Sequence, residues 1–346
     1  GVPIAKPSAV ARACDLLLLT VPDDMLGNVA ELATRAGDAF ISCGGSKDKH
    51  IARGEEYLQK RKFEEALMEF RAAADIDKDS AAAHWGLARS FENLGQFYET
   101  VDELQKVGNI NPDNLDARAK LGTYFLLSTP PQIEETQRIL DDIFARDANF
   151  IEGHVLKANL LAADGKPENE VLDVLNHAIS LNPTRTESYV SLSRFFMKLD
   201  KKDEAEQAVK KGINANPNAP VGYIEYGRFL DYAERATEAE TQFKTAYEVD
   251  GGSIEACEAI ASFYIDQKQF EKAETVYNEL VQIQDNSPES RVQLANFYSE
   301  IKRDEDAINV LNQIIGEKSE DVRARYRLGE IHLERKEYAQ VNAQTE

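Results

Sequence analysis

From residue 47 onward, apolar residues return at three- and four-residue spacings, the period of a helix that buries one face. Four segments share a pattern in which a large residue is followed by an apolar one three on, a small one next, and an aromatic or leucine three further: His84–Phe91, Arg118–Phe125, Tyr189–Phe196 and Tyr223–Leu230. A second apolar stretch follows in most copies. It is marked by Ala66, Ala205, Ala239, Ala273 and Ala307, each with a bulky residue four later at Phe70, Val209, Phe243, Tyr277 and Leu311. Both stretches predict helices. Pro112, Pro183 and Pro217 fall after the second one, where a residue without an N–H cannot extend the helix and ends the unit.

The unit is therefore helix, turn, helix, with a period of about 34 residues, and it resembles the tetratricopeptide repeat (TPR). That resemblance covers residues 47–346 and implies an all-α fold, a TPR α-solenoid in which antiparallel helix pairs stack into a right-handed superhelix. Eight full copies run Lys47–Ser80, Ala81–Asn114, Leu115–Phe150, Ile151–Arg185, Thr186–Ala219, Pro220–Ser253, Ile254–Ser287 and Pro288–Asp321, with a partial ninth from Val322, so seventeen helices are expected. One small-residue slot recurs in register at Gly54, Ala88, Gly122, Ala158, Ser193, Gly227, Ala261, Ala295 and Gly329, where a larger side chain would push paired helices apart. Thr129-Pro130-Pro131 and Gly165-Lys166-Pro167-Glu168 depart from the common turn and predict longer or differently shaped links. The last copy stops inside its second helix, so that helix frays or the natural chain continues.

Residues 1–46 do not continue the register, because Pro22 would sit inside a first helix and break it at a cost of about 3 kcal/mol. The apolar run Leu16–Val21 followed by Asp23-Asp24 and a short amphipathic stretch reads as a buried strand entering a capped helix. It resembles one βα unit of a Rossmann-like NAD(P)-dependent reductase, but it lacks the glycine-rich phosphate turn of a cofactor site. A leader, a fusion remnant or a helical cap on the first repeat are the alternatives. Ile41-Ser42-Cys43-Gly44-Gly45-Ser46 resembles the lipid-attachment box of bacterial lipoproteins, with Cys43 as the lipidated residue; Glu31, Arg35 and Asp38 interrupt the apolar region such a signal requires. The domain division expected is thus 1–46, leader or cap and linker, and 47–346, solenoid.

With 42% hydrophobic residues the chain can bury a core. Forty Lys and Arg against sixty-one Asp and Glu leave 40 − 61 = −21, a field that repels phosphate backbones and argues against a nucleic-acid partner. Leu16–Val21 is far shorter than the roughly 20 residues of a spanning helix, so no transmembrane span is expected. Cys14, Cys43 and Cys257 form neither a disulfide framework nor a paired metal motif. No nucleotide-loop, zinc-protease, serine-elbow or EF-hand spacing occurs, so neither enzymatic activity, a metal nor a cofactor is expected. His50, His84, His154 and Cys257 all fall in one first-helix slot of different copies, which predicts packing roles.

What remains is a groove. In solenoids that this chain resembles, the first helices line the concave face. One stripe along it contains Arg89, Asn159, Arg194, Arg228 and Asn296, polar and partly cationic; a companion stripe contains Trp85, Val190 and Ile224, mostly apolar. Such a pair suits an extended protein segment of acidic or carboxylate character, which needs amide and guanidinium donors beside apolar pockets. Alternatively, Arg194 and Arg228 pair with neighbouring acids across repeats. The expected function is a non-catalytic protein-interaction scaffold, placed in a bacterial cell-envelope assembly and the periplasm if Cys43 is the lipidated N-terminus and in the cytoplasm otherwise. The alternatives are end-to-end self-association through uncapped solenoid ends and a reductase-related protein.

Overall fold

The computed structural model describes residues 46–249, 254–319 and 321–336, and these contain seventeen α-helices and no strand. Through residue 163 they are α1 (Lys47–Gln59), α2 (Phe63–Ile76), α3 (Ala81–Asn93), α4 (Phe97–Ile110), α5 (Leu115–Leu127), α6 (Ile133–Arg146) and α7 (Ile151–Ala163). There follow α8 (Glu168–Leu181), α9 (Thr186–Lys198), α10 (Lys202–Ala215), α11 (Pro220–Tyr232) and α12 (Ala236–Val249). The last are α13 (Ile254–Asp266), α14 (Phe270–Ile283), α15 (Pro288–Glu300), α16 (Asp304–Glu317) and α17 (Val322–Glu334). Odd-numbered helices are the first members of the predicted pairs and even-numbered ones the second. The fold is an all-α stack of helix pairs of the TPR type. The strand-like run and Cys43 lie outside the described residues. Two compact units divide the chain, one through Glu135 and one from Thr136, the boundary falling within α6.

Seven of the eight pairs close through the same device; the link between α5 and α6 does not use it. After the first helix one residue enters the left-handed region, Arg61, Gly95, Gly165, Asp200, Glu234, Lys268 or Lys302, with φ between 54° and 70°. The next N–H then reaches back five residues, as in Lys62 to the Tyr57 carbonyl (2.8 Å) and Arg235 to that of Leu230 (2.8 Å), satisfying carbonyls that the ending helix leaves open. The two anomalous links behave as their sequences imply. Residues 128–132 and 164–167 are longer than the three-residue turns elsewhere, though Gly165 still takes the left-handed position.

Links from a second helix to the next first helix use another local device. The side chains of Asp77, Asn111, Asp147, Asn182 and Asn216 each accept from the N–H two residues on, at 2.9–3.3 Å, folding the chain back before the next helix starts. Ser46, Ser80, Asn114, Ser287 and Asp321 cap the helices that follow them by accepting an N–H three residues on.

Within each unit a first helix packs on its own partner and on the second helix before it. In the N-terminal unit Phe70 is fully buried, its ring pressed against Gly54 of α1 and Gly86 of α3, where an added Cβ would lie 2.7 Å and 2.3 Å away. In the C-terminal unit Phe243 plays the same part beneath Gly227. The small slot is therefore an aromatic socket in these two copies.

The C-terminal unit adds a polar brace between pairs. Glu206, Glu240 and Glu274, one on each of three successive second helices, accept from Tyr226 (2.6 Å), Tyr264 (2.9 Å) and Tyr298 (2.8 Å) of the next first helix. Arg235, Lys272 and Arg303 complete these carboxylates at 2.9, 3.0 and 2.5 Å.

Candidate protein-binding face of the first helices

In the C-terminal unit the first helices of consecutive pairs touch one another, α9 on α11 and α11 on α13. They expose one long face on which the predicted stripes can be located. Arg194 on α9 and Arg228 on α11 project from it, and both are mostly solvent-exposed. They converge on one carboxylate. Arg194 grips Glu225 through two bonds of 3.0 and 2.7 Å, and Arg228 adds a third at 2.5 Å. Burial alone would raise the Glu225 pKa, but the two guanidinium groups outweigh it and hold it below the ordinary carboxylate value. Two cations share one anion, so the cluster keeps a net positive charge although its members are already paired.

The apolar stripe is not an open floor throughout. Val190 and Ile224 are only 4% and 1% exposed and belong to the core, a correction to their expected role as groove residues. Ile224 belongs to the same core cluster as Ala205 and Val209 of α10, so the interior consumes it. Asn159 on α7 and Asn296 on α15 are exposed, each on its own helix and away from the arginine pair in sequence. In the N-terminal unit Trp85 and Arg89 come together on α3, the guanidinium 5.3 Å from the ring centroid, and Arg89 is also paired with Glu55 one repeat earlier.

The histidines sit where the register puts them. His50 and His84 bond the second-helix carboxylates Glu69 (2.6 Å) and Glu103 (2.5 Å), one period apart, and His154 reaches the Ala148 carbonyl at 3.0 Å. Burial pushes the His154 pKa down, with the Ala148 carbonyl opposing. Cys257 is fully buried and its thiol is pushed up to about 11 by that burial, so it packs as an apolar group. Among the described residues no group of three His, Cys, Asp or Glu side chains could hold a metal ion, and no helix is long and apolar enough to cross a membrane.

One feature of the face escaped the two stripes. Between α11 and α13 lies a cavity of about 190 Å³, walled by Asp231, Glu255, Glu258 and Asp266, with Arg228 at one side and Phe243 and Phe263 below. Of these, Arg228 lies on the polar stripe read from sequence, and Glu258, one period after Ile224, continues the companion stripe. Reading the remaining first-helix positions on the same face would have found the other three acids.

Comparison with known proteins locates repeats in three stretches. Tetratricopeptide repeat models match residues 51–99 and 186–219, and a model described as the ARM repeat of tetratricopeptide repeat protein 21 matches residues 230–343. Tetratricopeptide-repeat architecture is thus present over part of the chain. The human protein O-mannosyl-transferase TMTC3 is 23% identical over 154 residues, which are 41% of this chain and 17% of that protein's length. Among solved structures, the thermophilic TPR protein TTC0263 of Thermus thermophilus is 17% identical with a TM-score of 0.47, covering 54% of this chain and 99% of that one. The Pseudomonas aeruginosa pilF structure is 20% identical with a TM-score of 0.41 over 62% of this chain and 97% of its own. The Cut9 and Hcn1 hetero-tetramer of the APC/C gives 14% and 0.44, over 80% and 55%.

Proposed function

We propose that this protein is a non-catalytic scaffold that binds an extended protein segment along the face of its first helices. Repeats of this kind act generically as platforms for protein–protein interaction, because stacked pairs present a continuous surface that no single pair could form. The observation that carries the reading here is the convergence of Arg194 and Arg228 on one Glu225. An acidic side chain or terminal carboxylate of a partner would meet two exposed guanidinium groups with only one internal anion between them. Asn159 and Asn296 supply backbone-reading amides within the same unit, and Trp85 with Arg89 forms a separate contact point within the N-terminal unit. In this reading residues 47–346 form the scaffold and residues 1–46 lie outside it, so a chain beginning at Gly44 keeps its helicity and its binding. The envelope placement rests on Cys43 alone.

The test is binding of a fluorescein-labelled hexaglutamate peptide by polarisation. Replacing both arginines by Gln, rather than Glu, avoids crowding two further carboxylates against Glu225 and should weaken binding about tenfold or more, with added salt mimicking the change. Binding indifferent to both substitutions and to salt would remove this face as the site of an acidic segment.

A second reading, self-association through α17, is favoured by one observation: α17 exposes Tyr326 and Leu333 by 68% and 54%. Sedimentation at rising concentration distinguishes it, since a groove scaffold keeps a constant size.

A further inference from the structure

We propose that the cavity between α11 and α13 receives a lysine or arginine side chain of the bound segment, its stem against Phe243 and Phe263 and its charge met by Asp231, Glu255, Glu258 and Asp266. This rests on the scaffold reading and adds a second determinant to it, since the partner then carries a cation beside the acidic residue that the arginine pair holds.

Three observations lead there. The first is shape: this is a concavity of about 190 Å³ with an aromatic base, not a flat acidic surface. Phe243 and Phe263 lie under it tilted against each other, centroids 5.2 Å apart, a base against which the methylene stem of a long cationic side chain can lie while its head stays at the polar rim.

The second is charge accounting within the same unit. Partly buried acids here are met by internal cations: Glu206 by Lys210 and Arg235, Glu240 by Lys244 and Lys272, Glu274 by Arg303, and Glu225 by two arginines. Around the cavity the pattern changes. Asp231, Glu255 and Asp266 make no ion pair among the described residues. Arg228, the one cation on the wall, gives its Nη1 to Glu225 instead, at 2.5 Å.

The third is orientation. Neutral amides hold two of the acids in place, Gln267 donating to Asp231 at 2.8 Å and Gln293 to Glu258 at 3.3 Å. An amide fixes the Asp231 carboxylate without cancelling its charge, so the negative potential at the mouth survives and a cationic head gains charge-assisted bonds on entry.

The experiment uses the full chain and three fluorescein-labelled peptides: hexalysine, the same peptide with every lysine acetylated, and hexaglutamate. Hexalysine should bind and the acetylated peptide should not. The triple variant Asp231→Asn/Glu255→Gln/Asp266→Asn should lose about tenfold in hexalysine affinity and retain hexaglutamate binding. A control of equal charge change on exposed second-helix positions, Asp203→Asn/Glu204→Gln/Glu271→Gln, should alter hexalysine binding by less than about twofold, because none of those acids lines the cavity. Far-UV circular dichroism confirms that both variants remain folded. Equal weakening by the two triples would mean bulk attraction to a chain of net charge −21 and would overturn the proposal, as would equal binding of the acetylated peptide. Loss of the cavity result with hexaglutamate binding still dependent on Arg194 and Arg228 would sink this inference and leave the scaffold reading standing.

Discussion

Replacing Gly86 by alanine isolates the contact on which the N-terminal unit depends. In a helix interior the exchange ordinarily stabilises by about 1 kcal/mol, because glycine loses more backbone freedom on folding. At Gly86 the new Cβ would lie 2.3 Å from Cδ1 and Cε1 of Phe70 and 2.5 Å from its Cγ, more than 1 Å inside ordinary contact. The ring has no easy retreat, since it is fully buried and its far end already abuts the Gly54 position. Overpacking of this kind costs about 1–3 kcal/mol, and with both sides blocked the upper end applies, leaving a net loss of about 2 kcal/mol after the helix gain. Gly108 in α4 is the internal control: a Cβ there meets nothing within 4 Å, so Gly108→Ala should stabilise by about 1 kcal/mol. Urea unfolding followed by far-UV circular dichroism reads both. Opposite signs are required. If Gly86→Ala stabilises as Gly108→Ala does, Phe70 does not sit between α1 and α3 and the packing derived for the first two pairs is wrong.

Three further outcomes follow from the geometry. Phe243→Ala removes a ring that is 3% exposed beneath Gly227 and should cost about 3–5 kcal/mol, with hydrogen exchange accelerated chiefly in α11 to α13; an unchanged melt would refute the register. Glu206 and Glu240 have pKa values lowered to about 2, Glu206 by Lys210, Tyr226 and Arg235 against the opposing effect of burial, Glu240 chiefly by Lys244. Their folded values lie below the unfolded ones, so their contribution is complete above the ordinary value of 4.5 and is lost as pH falls from there toward 2. Acid titration of stability should therefore be less steep in Glu206→Gln/Glu240→Gln, and an identical slope would show that the braces do not form. Glu234→Gly relieves a non-glycine residue at φ 60° and should stabilise by up to about 1 kcal/mol in thermal denaturation, whereas destabilisation would contradict the turn.

Local pattern carried the helices because a repeat writes the same short-range information many times. Each unit's spacing, small slot and terminating Asn-Pro or Asp turn is fixed by neighbours within a few residues, so seventeen helices and both anomalous links were legible from the sequence alone. The histidine slot was legible for the same reason, since a position that recurs every period must meet the same interior. Side-chain destination was less so. Val190 and Ile224 share a stripe with Trp85, yet how deeply a stripe position sinks depends on how closely α9, α11 and their second helices approach, a distance that no local pattern contains. Whether Arg194 and Arg228 stand free also depends on Glu225, 31 residues from one and three from the other, and only the stacking of α9 on α11 makes those two separations equivalent. The acidic cavity is tertiary in the same sense: its walls come from two helices and its base from α12 and α13, so it exists only where neighbouring pairs meet. The sequence by itself determined the repeating elements, because their causes are local; the charges and hollows of the binding face were decided by the spacing between pairs, because electrostatic pairing and burial act through space across repeats.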